Sequence, residues 1–309
     1  MDRRRELTLL VGDNPFHGIS HLSQEQARKR GDYATSADNA AKLVLTALDN
    51  GADGFMFSVS ETTLSILDII RKIAPDRSFR LYALVPYAYE YVRLATQLGG
   101  IPGLAKRFSR QILFSGNMSA IAAGIKGVLL TDLASVLKTY LLYEISRIKS
   151  SSGKRVVLES VLLHEVITDM ALALGLDWLF KSFIDFSLKR GIKPGFETRN
   201  FVYLVDKLES WNIDLSRVVI ATPFNKIGFL MNPSKQACEE ALAKHSDANI
   251  IAMSVLAAGY LKPAEALNYL RSTSNINAAV IGVSKLQQAK ETFALKYLEP
   301  AYVEATSSK

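Results

Sequence analysis

The chain contains one cysteine, Cys238, in 309 residues. No internal disulfide can form, so buried apolar surface must hold the fold together, and a reducing compartment suits this usage best. Its neighbours Ala237 and Glu239, within an amphipathic stretch, suggest a buried helix position. Long hydrophobic runs are missing as well. The longest charge-free stretches, from Gln111 to Ile125 and from Asn249 to Leu261, fall short of the roughly 20 apolar residues that cross a bilayer. The opening MDRRRELTLLVGD is basic and then only briefly apolar, too short for the apolar core of an export signal. There is no basic block either. The net charge is +7, but Lys and Arg are dispersed, which argues against nucleic acid and leaves room for an acidic or phosphorylated ligand. No internal repeat, linker or low-complexity tract appears before the polar tail at 303–309. These absences together predict a cytoplasmic protein with a small-molecule substrate and neither a nucleic-acid nor a membrane partner. A homo-oligomer stays open.

Hydrophobic residues make up 49% of the chain, enough to bury a sizeable core. They fall into short β-branched or apolar runs, each followed by a helical pattern. The runs are LTLLVGDN (7–14), GFMFSVS (54–60), RLYALVPY (80–87), RVVLESVLLHE (155–165), KPGFET (193–198), RVVIATPFN (217–225), NIIAMSVLAAG (249–259) and NAAVIGVS (277–284). Strands that alternate with helices imply a parallel sheet, because each parallel pair needs a long crossover. With this number of units the expected fold is an α/β protein, a (β/α)8 TIM barrel, over 1–309 as a single domain.

Residues 88–154 are too long for one crossover. Leu129, Leu133, Val136, Leu137, Tyr140 and Leu141 recur at helical spacing, and Ser150 to Gly153 end the run. The spacing predicts a helix over 131–149, within an extra helical segment between strands 3 and 4.

In such barrels chemistry sits where strands end and loops begin at the C-terminal face. Strand 1 runs into GDNPFHGISH, which groups Asp13, Asn14, His17 and His21; the same Asn, Pro and Gly also suit a tight turn capped by Asp13. Strand 2 ends with Ser58, Ser60 and Glu61, where Ser60 fits a helix N-cap. Strand 4 ends in LLHE, which points His164 towards the mouth with Glu165 beside it. Strand 5 contributes Glu197, Thr198 and Asn200, and strand 6 contributes Asn225 and Lys226. Asp13, His21, His164, Glu197 and Asn225 are expected to share one pocket. After strand 8, Gly282, Ser284 and Lys285 lead into a helix whose N-terminus can receive a phosphate.

Over about 155–295 the order of segments resembles the C-terminal half of aldo-keto reductases. SVLLHE is similar to the strand that ends in that family's catalytic histidine, and GFETRNF to its Gly-Val-Ser-Asn-Phe turn. IIAMSVLAAGYL and AAVIGVSKLQQAKETF resemble its seventh and eighth strand segments. The resemblance implies a catalytic role for His164, a nicotinamide-holding role for Asn200, and an NADP phosphate loop at Gly282, Ser284 and Lys285. The family's other catalytic residues have no match. Phe57 or Ser58 stands in the place of its aspartate, Thr62 in that of its tyrosine, and Leu84 or Val85 in that of its lysine. A proton would then have to come from elsewhere, such as Tyr82, Tyr87 or Tyr89, or from a new acid; Asp13, His21 and Glu197 join His164 as catalytic candidates.

Four functions are consistent with these residues. One is a divergent reductase acting on a small carbonyl or phosphorylated molecule with NADP. A second is a metal-assisted hydrolase or lyase that draws ligands from His17, His21, His164, Glu165 and Glu197. A third is a Schiff-base enzyme using Lys226, and the last is a barrel without catalysis.

Overall fold

The computed structural model describes residues 6–18, 34–86 and 133–298. Eight strands form one closed parallel barrel, each paired with its neighbours in chain order and the last with the first. They are β1 (Thr8–Gly12), β2 (Gly54–Ser58), β3 (Phe79–Val85), β4 (Val156–Leu163), β5 (Lys193–Glu197), β6 (Val219–Pro223), β7 (Asn249–Met253) and β8 (Ile276–Gly282). Every predicted strand is present, but most are shorter than the apolar run that announced them. In β7 the run continues to Gly259, whereas the strand stops at Met253 and the rest becomes a loop with a 3-10 turn at Ala257–Gly259.

Around the barrel run α1 (Ala37–Asp49), α2 (Glu61–Ile73), α3 (Leu133–Ser151), α4 (Glu165–Ala173), α5 (Asp177–Leu188), α6 (Phe201–Ser210), α7 (Lys235–Lys244), α8 (Pro263–Ser272) and α9 (Leu286–Ala294). Ser60 starts α2 as expected: its hydroxyl accepts the Thr63 N–H at 3.2 Å, and the Thr63 hydroxyl accepts the Ser60 N–H at 3.0 Å. The helix predicted over 131–149 is α3, while 87–132, including Tyr87 and Tyr89, lies outside the described residues. Barrel pairing passes directly from β3 to β4. Two helices, α4 and α5, fill the connection from β4 to β5, a doubling that the apolar spacing did not separate.

Strand alternation sorts the core into two layers. Leu10, Met56, Tyr82, Leu84, Leu162, Val219, Ala221, Ile251 and Ala278 fill the barrel interior. Their neighbours, such as Leu9, Val11, Phe55, Phe57, Val161, Phe196 and Ile220, face outwards under the helices. Cys238 is buried in α7, where its thiol donates to the Asn232 carbonyl at 3.3 Å and burial pushes its pKa up to about 11. Among the described residues, no helix is long and apolar enough to cross a membrane.

Candidate active site

A period of two decides which side chains reach the barrel mouth. Ser58 stands two residues beyond Met56, His164 two beyond Leu162, Glu197 two beyond Gly195, and Met253 two beyond Ile251. Each therefore continues the inward-facing row at the C-terminal end of its strand. They surround a cavity of about 550 Å³, the size of a small-molecule site. Met56, Leu84, Met253 and Val280 give it an apolar floor, and Asp13, His164, Glu165, Glu197, Arg199 and Lys285 give it a polar rim.

Asp13 enters from the end of β1. Its carboxylate does not cap the following 3-10 turn (Asn14–His17), as a simple turn would have had it. Instead Oδ2 accepts the backbone N–H of Ser58 at 2.7 Å and lies 3.2 Å from His17 Nε2. This one side chain ties the end of β1 to the end of β2. His17 lies against Asp13 and does not line the cavity, and His21 is outside the described residues.

His164 is both the last inward-facing residue of its row and the N-cap of α4. Its Nδ1 accepts the Val166 N–H at 3.3 Å, so the neutral ring carries its proton on Nε2. That nitrogen is 3.8 Å from Glu197 Oε2. Burial lowers the histidine pKa, opposed by the carboxylates of Glu165 and Asp13, and the imidazole is neutral at neutral pH. Glu197 is shifted the other way. Desolvation raises its pKa to about 8, and the charges of Glu165 and Asp13 add to the rise, against the Glu165 N–H that donates to Oε2 at 3.0 Å. The barrel mouth thus holds a neutral carboxylic acid beside a neutral imidazole.

The surrounding charges are organised by α4. Arg199 Nε donates to Glu165 Oε2 at 2.7 Å. Asp169 accepts from the Thr198 hydroxyl at 2.5 Å and from the Asn200 amide at 2.9 Å, which fixes the loop that presents Arg199. Asn200 is exposed and spent on this contact, and it does not line the cavity. Arg199 and Asp169 were not singled out in the sequence, although both lie beside residues that were.

Gly282, Ser284 and Lys285 do line the cavity, together with Gln288. Lys285 is the N-cap of α9, without a side-chain hydrogen bond to the helix. Gln288 Oε1 accepts the Ser284 N–H at 3.0 Å, so this amide is already engaged. A Cβ at Gly282 would sit 3.0 Å from Cγ and Cδ of Pro15, filling the gap between the first and last strand ends. A bare backbone, an uncapped helix start and a lysine meet at this corner, and they fit a phosphate.

Other expected residues go elsewhere. Asn225 is fully buried but builds its own loop: Nδ2 donates to the Phe229 carbonyl and Oδ1 accepts the Phe229 N–H, both at 2.8 Å. Lys226 is exposed and paired with Glu265 at 2.8 Å, the wrong setting for a desolvated amine nucleophile. Tyr82 is in the barrel interior against Arg80, with a pKa raised by burial and by Glu159. Among the described residues, the one group of three side chains near enough to share a metal ion is Asp206, Glu209 and His245, away from this cavity.

No family model matches the chain, and no curated protein matches its sequence. Solved structures do match. An aldo-keto reductase from Bacillus halodurans, in a holo form, aligns over 98% of this chain and 95% of its own at 12% identity and a TM-score of 0.58. A glycerol dehydrogenase from Gluconobacter oxydans aligns over 97% and 90% at 9% identity and a TM-score of 0.52. The chain is similar in fold to aldo-keto reductases along nearly its whole length, and at these identities the likeness speaks for the fold.

Proposed function

We propose that the cavity is the active site of an enzyme that reduces a small carbonyl compound with NADPH, using Glu197 and His164 where aldo-keto reductases use another proton donor. The observation that carries this reading is the approach of His164 Nε2 to Glu197 Oε2, 3.8 Å apart in the mouth, where burial favours the neutral form of both groups. With Oε2 accepting the Glu165 N–H, Oε1 is the oxygen better placed to hold the Glu197 proton. The His164 Nε2–H and the Glu197 hydroxyl can both donate to one carbonyl oxygen, which polarises the carbon and stabilises the alkoxide as it forms. Glu197 then passes its proton to that oxygen as general acid; the Glu165 N–H and the Arg199 guanidinium favour the charge left behind, while the Glu165 and Asp13 carboxylates oppose it.

The apolar floor of Met56, Leu84, Met253 and Val280 suits the remainder of a small aldehyde or ketone. Lys285 and the start of α9 would hold a cofactor phosphate. When bound, NADPH supplies the hydride. The resemblance of the β8 segment to the family's phosphate loop supports this cofactor.

The test is consumption of NADPH with a panel of small aldehydes and ketones across pH. The wild type should lose kcat/KM as pH rises through about 8, where Glu197 ionises. Glu197→Gln should be slower by about 100-fold or more and lack that inflection. A Gln variant that is as fast as wild type on every substrate turned over would remove Glu197 from the mechanism.

A further inference from the structure

Helices α6 and α7 pack side by side on the outside of the barrel. Near their C-terminal ends three side chains converge. Asp206 and Glu209 are three residues apart on α6 and so share a face, and His245 follows the last residue of α7. One nitrogen of His245 and one oxygen from each carboxylate all lie within 4.8 Å of one another. Helices in this topology run opposite to the strands, so the cluster is at the barrel end away from the cavity.

The arrangement is unfavourable as it stands. Two carboxylates sit in the last turns of α6, where the helix end is itself negative, and they repel each other across one turn. His245 is only 5% exposed, yet its Nε2 has no hydrogen-bond partner. A buried polar atom of this kind costs stability unless something engages it. Lys244 offers part of an answer, with its Nζ 3.0 Å from Glu209 and 4.0 Å from Asp206. It does not serve the histidine, whose Nε2 has no hydrogen-bond partner while the ammonium is held by the two carboxylates.

We propose that Asp206, Glu209 and His245 form a divalent-cation site, best suited to Zn²⁺, that clips the end of α6 to the end of α7. One imidazole and two carboxylates are a common zinc donor set, and the fourth position is open to water. Tetrahedral bonds of about 2.0 to 2.2 Å place ligand atoms roughly 3.4 Å apart, so atoms now within 4.8 Å of one another need to draw in by up to about 1.4 Å. Asp206 and Glu209 can do so, since both side chains are more than half exposed. Lys244 would swing away into solvent, its charge role taken over by the ion.

The experiment is calorimetric titration of chelator-stripped protein with ZnCl2, on wild type, Asp206→Asn/Glu209→Gln and His245→Asn, with thermal melts alongside. The wild type should bind one Zn²⁺ and melt at a higher temperature when loaded. The exposed acidic pair can be changed without disturbing the core, and its double variant should bind at least about tenfold more weakly, as should His245→Asn if it folds. Lys244→Gln should bind as well as wild type or better, having lost its competing ammonium. Absence of Zn²⁺ binding at millimolar metal would overturn the proposal, and so would binding that the acidic double variant leaves unchanged, which would put the ion at another site. None of these readouts depends on turnover.

Discussion

In the proposed reaction Glu197 is the acid, and its environment makes the fold sensitive to pH. In the unfolded chain the carboxyl has its ordinary pKa of 4.5, whereas in the barrel mouth it has a pKa of about 8. Between those values the folded state holds a proton that the unfolded state has released. The stability linked to this proton is complete below 4.5 and is lost as pH rises through 8. Urea denaturation should therefore show wild-type stability falling from about pH 5 to about pH 8 and levelling off above that, and Glu197→Gln should show a smaller fall. An equal fall in both proteins would mean that Glu197 is ionised already. His164 has the opposite sign: its lowered pKa adds stability above 6.5 that is lost as pH falls through the folded value. Both residues were legible as polar groups at strand ends. Asn200 and Asn225 carried the same signal but are spent on Asp169 and on Phe229, because asparagine side chains serve loop backbones as readily as ligands. Arg199 and Gln288 had no signal of their own, since a lone arginine or glutamine near a helix start is ordinary surface chemistry.

At the scale of elements, the existence and order of all the strands could be read from apolar runs, and the strand ends could not. Runs such as NIIAMSVLAAG cross from strand into a small-residue turn without changing composition, so pairing alone decides where β7 stops. The β2–β3 contact shows how closely pairing constrains sequence. A Cβ on Gly54 would lie 2.4 Å from the backbone oxygen of Arg80, which cannot move aside without disturbing the ladder. Gly54→Ala should destabilise the barrel by about 1 to 3 kcal/mol or more, read from chemical denaturation. A value within error of wild type would show that β2 and β3 are farther apart than described. Asn225→Ala removes a buried amide and leaves the Phe229 N–H and carbonyl without partners; a loss of about 1 to 3 kcal/mol is expected, with cofactor affinity kept. If that change abolished NADPH binding but left stability intact, Asn225 would belong to the site after all.

For the whole molecule, closure of the sheet brings residues from opposite ends of the sequence to one mouth. Asp13 reaches Ser58, Gly282 lies beside Pro15, and the His164–Glu197 pair stands across from Lys285 around the same cavity. In the proposed function this mouth joins an acid–base pair to an anion-binding corner that holds NADPH. The most direct measurement is calorimetric titration with NADPH of wild type and Lys285→Glu. Saturable binding by wild type is expected, weakened by about 1 to 3 kcal/mol in the variant through loss of a charge-assisted hydrogen bond and added repulsion. No binding at millimolar NADPH, or equal binding by both proteins, would contradict it.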